Sequence, residues 1–294
     1  MKQRTIKKRI DGVGIGLHKG EPVRLSIEPL DPSSGIVFYR SDTGSYIEAK
    51  PENVVNTQMA TVIGKGHDFV STIEHLLSSV YAFGLDNLLI RVDAPEVPIM
   101  DGSSASFCMM FHEAGIISQE AAKKVMIIKK EVEVRDGNKF VKVSPSATAQ
   151  FLFSIDFAHP SIGYQKYNFQ FSRQKYLNEI ARARTFGFLQ DIQMLRSRNL
   201  ALGGSLENAI VLDEKKILNS EGLRYDNEFV RHKILDAMGD LTLLGMPLLA
   251  SYESFAGSHH LNHLLTKEIL SDPENYAVKE LSSVLSPLLT KAFA

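Results

Sequence analysis

The stretch Phe229-Val230-Arg231-His232-Lys233-Ile234-Leu235-Asp236-Ala237-Met238-Gly239-Asp240 carries the most information in this chain. Its apolar pattern predicts a helix over residues 229–244. On that helix His232 and Asp236 are four residues apart, so both side chains share one face, one turn apart. A nitrogen and an oxygen ligand then converge on one point, which suits a zinc ion. Asp240 continues the stripe by one turn, and Lys233 places a fixed positive charge beside it. Two ligands do not complete a site, so a third ligand and a base must come from elsewhere in the chain.

Composition narrows the classes. The chain has 294 residues, with 44% apolar and 23% charged residues, the profile of an ordinary globular protein long enough for two domains. Net charge is -1, from 33 basic and 34 acidic residues, so no basic surplus asks for nucleic acid. Lys7-Lys8-Arg9 reads as the solvated side of a strand. Cys108, the single cysteine, stands among Phe107, Met109, Met110 and Phe111 and reads as a small buried hydrophobe; no intrachain disulfide is possible. Met1-Lys2-Gln3-Arg4 leads into strand-like alternation rather than an apolar signal segment, and the run Leu241–Ala250 is too short to span a bilayer. The expectation is a cytoplasmic protein without a membrane anchor, acting as a monomer.

Residues 1–117 read as one α+β unit. Val23–Ile27, Gly35–Tyr39, Thr57–Ile63 and Asn87–Val92 look like strands. Ile73, Leu76, Leu77, Val80 and Tyr81 follow helical spacing, with Ser71 or Thr72 as cap and Gly84 as stop. A second helix is expected from Ser104 to Ala114, ended by Gly115. Ser118–Lys124 is polar and unpatterned and reads as a linker to a second unit, 125–294. Strands are expected there at 125–128, 131–134, 140–143, 151–157 and 167–171. Helices are expected at 175–182, 229–244 and 260–270, with a further one at 277–289. Strands followed by helices in each half predict α+β layers rather than a βαβ pattern. Gly12–Gly16 opens no helix, so it does not read as a nucleotide loop.

His75 stands out among the histidines because Glu74 precedes it inside the first strong helix. A His–Glu neighbour pair resembles half of a zinc hydrolase, where the histidine binds metal and the carboxylate handles the proton of water. Glu74 lies off the apolar stripe and His75 near its edge. Each piece alone is more often a surface or capping contact. A third cluster, Gly257-Ser258-His259-His260-Leu261-Asn262-His263, strengthens the set. His67 and His112 read as structural, and His18, in a glycine-flanked turn, has no assigned role.

In order along the chain, Gly14-Ile15-Gly16-Leu17-His18, Thr72-Ile73-Glu74-His75-Leu76, Ala94-Pro95-Glu96-Val97-Pro98-Ile99-Met100-Asp101-Gly102-Ser103, Ala183-Arg184-Thr185-Phe186-Gly187-Phe188, Leu202-Gly203-Gly204-Ser205 and Phe229–Asp240 resemble the UDP-3-O-acyl-N-acetylglucosamine deacetylases, the zinc amidases of lipid A biosynthesis in Gram-negative bacteria. The resemblance implies two stacked α+β domains with helices packed between two outer sheets, a small insertion in each domain, and a site at their junction. It implies His75, His232 and Asp236 as zinc ligands, although iron(II) suits the same set. It further implies Glu74 as general base, Thr185 as an oxyanion contact, Lys233 as added positive charge, and His259 as a general acid kept charged by Asp240. Phe186 would touch the sugar nucleotide.

The family usually has glycine before one acid histidine. This chain has Ser258-His259-His260; alignment on Leu261-Asn262 favours His259, with His260 as competitor. The resemblance also implies an acyl tunnel in the second insertion, with Leu189, Ile192, Leu195, Leu200, Ala201, Ser205 and Val211 as candidates that are equally compatible with core. The alternatives are a zinc amidase of the same fold acting on another acylated amine, and a nucleotide-sugar binding protein without turnover.

Overall fold

The computed structural model describes residues 1–197, 199–282 and 287–293. Seven helices are seen among them: α1 Glu74–Phe83, α2 Ala105–Ala114, α3 Arg173–Glu179, α4 Leu189–Ser197, α5 Glu228–Leu241, α6 His259–Ser271 and α7 Pro287–Ala292. Two main sheets accompany them, so the architecture is α+β, as expected.

The smaller sheet has five strands in the order Ile10–Ile15, Pro22–Pro29, Leu88–Val92, Ile36–Arg40 and Ser45–Glu48, with Ile36–Arg40 and Leu88–Val92 its one parallel pair. The larger has seven. Its long strand Leu248–Phe255 is shared: one end pairs with Lys124–Ile128, the rest with Lys139–Pro145 and Gln150–Phe157. One core runs from Leu25, Phe38 and Ile90 through Leu76, Val80, Ile234 and Leu235 to Val141 and Phe153. Helices α1 and α5 pack against each other, and α5 also meets Gln150–Phe157 and Gly163–Gln170 of the larger sheet. Helices α1 and α5 thus form the inner layer, where their apolar sides are removed from water.

Local chemistry explains the helix ends. Gly84 is left-handed at φ 61°, and its N–H and that of Leu85 return to the Tyr81 and Val80 carbonyls at 3.0 and 3.1 Å, which closes α1. The Ser258 hydroxyl caps α6 by accepting from the Leu261 N–H at 3.3 Å, so His259 becomes the first helical residue.

Several expectations are corrected. The hydroxyls of Ser71 and Thr72 do not cap α1; its N-cap is Ile73. Residues 57–61 are not strand: the strands are Val54–Asn56 and Val62–Lys65, joined with Asp68–Val70 in a small sheet. The 118–124 segment is mostly the strand Ile116–Ala122, antiparallel to Lys2–Ile6; a strand at the surface needs no continuous apolar run. Lys7-Lys8-Arg9 lies between strands. Ala277–Glu280 is strand, paired with Lys124–Ile128, because it completes a sheet edge; α7 begins only at Pro287, and 283–286 lie outside the described residues.

Two small additions flank the helical layer. One is the sheet of residues 54–70. The other contains the parallel pair Phe186–Phe188 and Ile210–Leu212 together with α4.

Candidate active site

The site forms where α1 begins and α5 passes. A Cβ on Gly239 would overlap the Glu74 carbonyl. The helices approach this closely only because residue 239 has no side chain. The approach brings three donors together: the ligand atoms of His75, His232 and Asp236 lie within 4.8 Å of one another. Asp236 Oδ1 is 3.3 Å from His232 Nε2 and 3.6 Å from His75 Nε2. All three residues are buried, and Asp236 Oδ1 has no hydrogen-bond partner.

That orphaned oxygen, in a pocket with two imidazole nitrogens, fits a cation. His232 is poised the same way. Its Nδ1 faces the Ala183 carbonyl at 3.0 Å, so that nitrogen carries the proton and leaves the Nε2 lone pair turned toward Asp236. Burial pushes the His232 pKa down to about 3, which keeps the ring neutral. Burial opposes ionisation of Asp236, but His232 and Lys233 overcome it and hold the carboxyl well below its usual range. Lys233 Nζ donates to Asp236 Oδ2 at 2.8 Å, leaving Oδ1 for a metal.

Glu74, although it lies off the apolar stripe, is 4% exposed. Every residue of α1 is buried, so the polar side of the helix faces the site rather than water. Burial raises the Glu74 pKa, an effect partly offset by His259 and His75. Glu74 Oε2 accepts from the Thr61 N–H at 3.1 Å, and Oε1 lies 3.7 Å from His259 Nε2.

Of the two competing histidines, His259 enters the site and His260 does not. His259 Nδ1 is 2.9 Å from Asp240 Oδ2, whereas His260 is exposed with Nδ1 3.2 Å from the Thr57 hydroxyl. Asp240 is held from the other sides by the Thr61 hydroxyl at 2.5 Å and Asn262 Nδ2 at 2.8 Å. Burial disfavours the charged imidazole, but Asp240 and Glu74 outweigh it and raise the His259 pKa to about 9.

The Ala183–Phe188 run forms another wall. Thr185 N–H donates to the Gly102 carbonyl at 2.8 Å, and the Phe186 ring lies 6.4 Å from that of His232. Arg184 carried no assigned role in the sequence, yet it is 1% exposed and braces this wall. Its Nε bonds Glu228 Oε1 at 2.9 Å, its Nη1 Glu221 Oε1 at 2.8 Å, and its Nη2 the Gly222 carbonyl at 2.7 Å. Glu228 is the first residue of α5, so this pair fixes Ala183 relative to His232 one turn on. A charged residue between Ala183 and Thr185 gave no hint of burial, because its partner is distant in sequence.

The tunnel candidates are scattered through the second insertion. Ile192 lies over Gly187, and Leu189 lines a surface cavity with Phe157, His159, Phe188 and Leu212. Leu195 and Leu200 are half-buried; Ala201 is buried with φ 53°, Ser205 N–H bonds Asn208 Oδ1 at 2.8 Å, and Val211 is buried in the Ile210–Leu212 strand. None of the described cavities unites them with the His–His–Asp group. His18 lies in the turn expected, with its backbone N–H 3.1 Å from both Glu96 oxygens.

A buried two-histidine, one-carboxylate cluster flanked by a carboxylate and a further histidine is compatible with a metal site of the kind metal-dependent hydrolases use. The family model described as UDP-3-O-acyl N-acetylglycosamine deacetylase matches residues 3–271, and the chain belongs to that family. It is 60% identical over 294 residues, all of both chains, to the UDP-3-O-acyl-N-acetylglucosamine deacetylase of Campylobacter fetus. It is 62% identical over 283 residues, 96% of this chain and 95% of the other, to that of a Nitratiruptor species. To that of Campylobacter jejuni it is 58% identical over the full length of both. No helix among the described residues is long and apolar enough to cross a membrane.

Proposed function

We propose that this chain hydrolyses the acetamide of UDP-3-O-acyl-N-acetylglucosamine to UDP-3-O-acyl-glucosamine and acetate, an early committed step of lipid A biosynthesis. The observation that carries this reading is the buried His75–His232–Asp236 group with Glu74 and His259 beside it, in a chain of this family. Those three residues would hold zinc, with iron(II) as the alternative occupant. The bound metal would polarise the acetyl carbonyl and acidify a water.

The protein groups divide the proton work. Glu74, buried and raised in proton affinity, takes a proton from the attacking water. His259, charged at neutral pH, gives one to the departing amine, and Asp240 keeps it charged and oriented. The Thr185 hydroxyl and the Lys233 ammonium are assigned to the oxygen that gains negative charge. Lys233 also neutralises Asp236 from behind. Phe186 is assigned to the sugar nucleotide. Leu189, Ile192, Ala201, Ser205 and Val211 are assigned to the acyl chain. The two domains are taken as 1–117 and 125–294, and the protein as a cytoplasmic monomer.

The test is acetate release from UDP-3-O-acyl-N-acetylglucosamine by the purified protein, with chelator and with zinc restored. Chelator-sensitive release recovered by zinc is the expected result. Bound zinc without release would point to a different acylated amine; neither metal nor release would favour a binding protein without turnover.

A further inference from the structure

Glu96 has a side chain at 2% exposure, and it forms no ion pair among the described residues. A buried carboxyl group of this kind is tolerated only when hydrogen bonds satisfy it. Here they come from two separate segments. The His18 N–H reaches both oxygens at 3.1 Å, and the Thr72 hydroxyl donates to Oε1 at 3.2 Å.

Each segment leads somewhere. Thr72 has φ 58°, a left-handed backbone that a β-branched residue adopts only when its surroundings hold it there. It stands two residues before Glu74 and three before His75. On the other side, the turn around His18 is welded to the second insertion. The Leu202 N–H donates to the His18 carbonyl at 3.1 Å and the Gly203 N–H to the Leu17 carbonyl at 3.0 Å. A Cβ on Gly203 would overlap the Gly16 carbonyl. The insertion, the turn, Glu96 and the strained residue ahead of α1 therefore form one continuous hydrogen-bonded path.

We propose that Glu96 is a positioning residue that couples seating of the acyl chain in the second insertion to the placement of Glu74 and His75. The inference rests on the proposed function. An engaged chain holds residues 201–204 against the 16–18 turn; the turn fixes Glu96; Glu96 holds Thr72 in its strained form. Binding energy from a remote part of the substrate is thereby spent at the reacting centre.

The experiment compares kcat/KM for the long-acyl UDP sugar with that for the same sugar lacking the 3-O-acyl chain, using full-length wild type, Glu96→Ala, Thr72→Val and their combination, with thermal unfolding recorded for each. Glu96→Ala is expected to lose about 10- to 30-fold on the long-acyl sugar and little on the other, so chain-length discrimination shrinks. Thr72→Val, which replaces the hydroxyl by a methyl group, is expected to reproduce this, the combination to add nothing further, and Thr72→Ser to restore discrimination. Equal losses on both sugars, or unchanged discrimination in Thr72→Val, would overturn the coupling while leaving the proposed function intact. A wild type inactive on both sugars would overturn the proposed function and the coupling with it.

Discussion

The contact of α1 with α5 and the segment from Phe186 to Leu212 both border the site, and they are built in opposite ways. Every residue of α1 is buried, and the helices touch through Gly239 with no intervening side chain. In α4, at the centre of the other segment, no residue is buried. The groups that would hold a metal, and the proposed base Glu74, sit on the first, with His259 reaching them from the start of α6. The residues assigned to the acyl chain sit on the second. Catalytic groups must keep their geometry to a fraction of an ångström, which packed helices provide. A surface that receives a flexible chain gains from side chains not already committed to a core.

The largest effect is expected inside the rigid contact. Glu74→Gln keeps the shape but removes the base, and kcat should fall by about 10²- to 10⁴-fold while bound metal is retained. A loss smaller than tenfold, measured as acetate release, would remove Glu74 as the base.

The pH profile sharpens the same point. In the proposed mechanism activity needs ionised Glu74 and protonated His259. It should fall as pH drops through the raised Glu74 pKa, and fall again as pH rises through about 9, where His259 loses its proton. Asp240→Asn withdraws the charge that supports the imidazolium, so the alkaline limb should move to lower pH. An unmoved limb in the kcat/KM profile would detach Asp240 from His259.

Gly239→Ala tests the helix approach itself. Overlap with the Glu74 carbonyl should force α1 and α5 apart and cost about 1–3 kcal/mol in denaturant unfolding. Activity should fall with it, because the donor atoms separate. The mildest outcome is expected in the other region. Leu189→Ala should change stability by less than about 0.5 kcal/mol and raise KM for the long-acyl sugar with kcat nearly unchanged. A stability loss as large as that of Gly239→Ala would erase the contrast between the regions.

Sequence patterns reached some of this and not the rest. The helical spacing of Ile73 to Tyr81 and the stop at Gly84 were legible, because both are local properties of a few consecutive residues. Residues 118–124 read as a linker although most of them belong to the strand Ile116–Ala122, since its pairing with Lys2–Ile6 supplies the order that its own polar sequence does not announce. The same applies to Tyr276–Glu280, whose strand state depends on an edge offered by Lys124–Ile128. Arg184 and Glu228 gave no local sign of burial; their mutual pairing is what makes burial of either tolerable.

By itself the sequence determined the relation of His232 to Asp236 and Asp240, because helical periodicity fixes neighbours four residues apart. The resemblance carried by its motifs pointed to the family. Only the tertiary structure brought His75 beside His232, turned the polar side of α1 inward, and selected His259 over His260. Those outcomes depend on how α1, α5 and α6 pack between the two sheets. Adjacent residues on a helix point about 100° apart, so the seating of α6, not the composition of its first turn, decided which histidine faces Glu74.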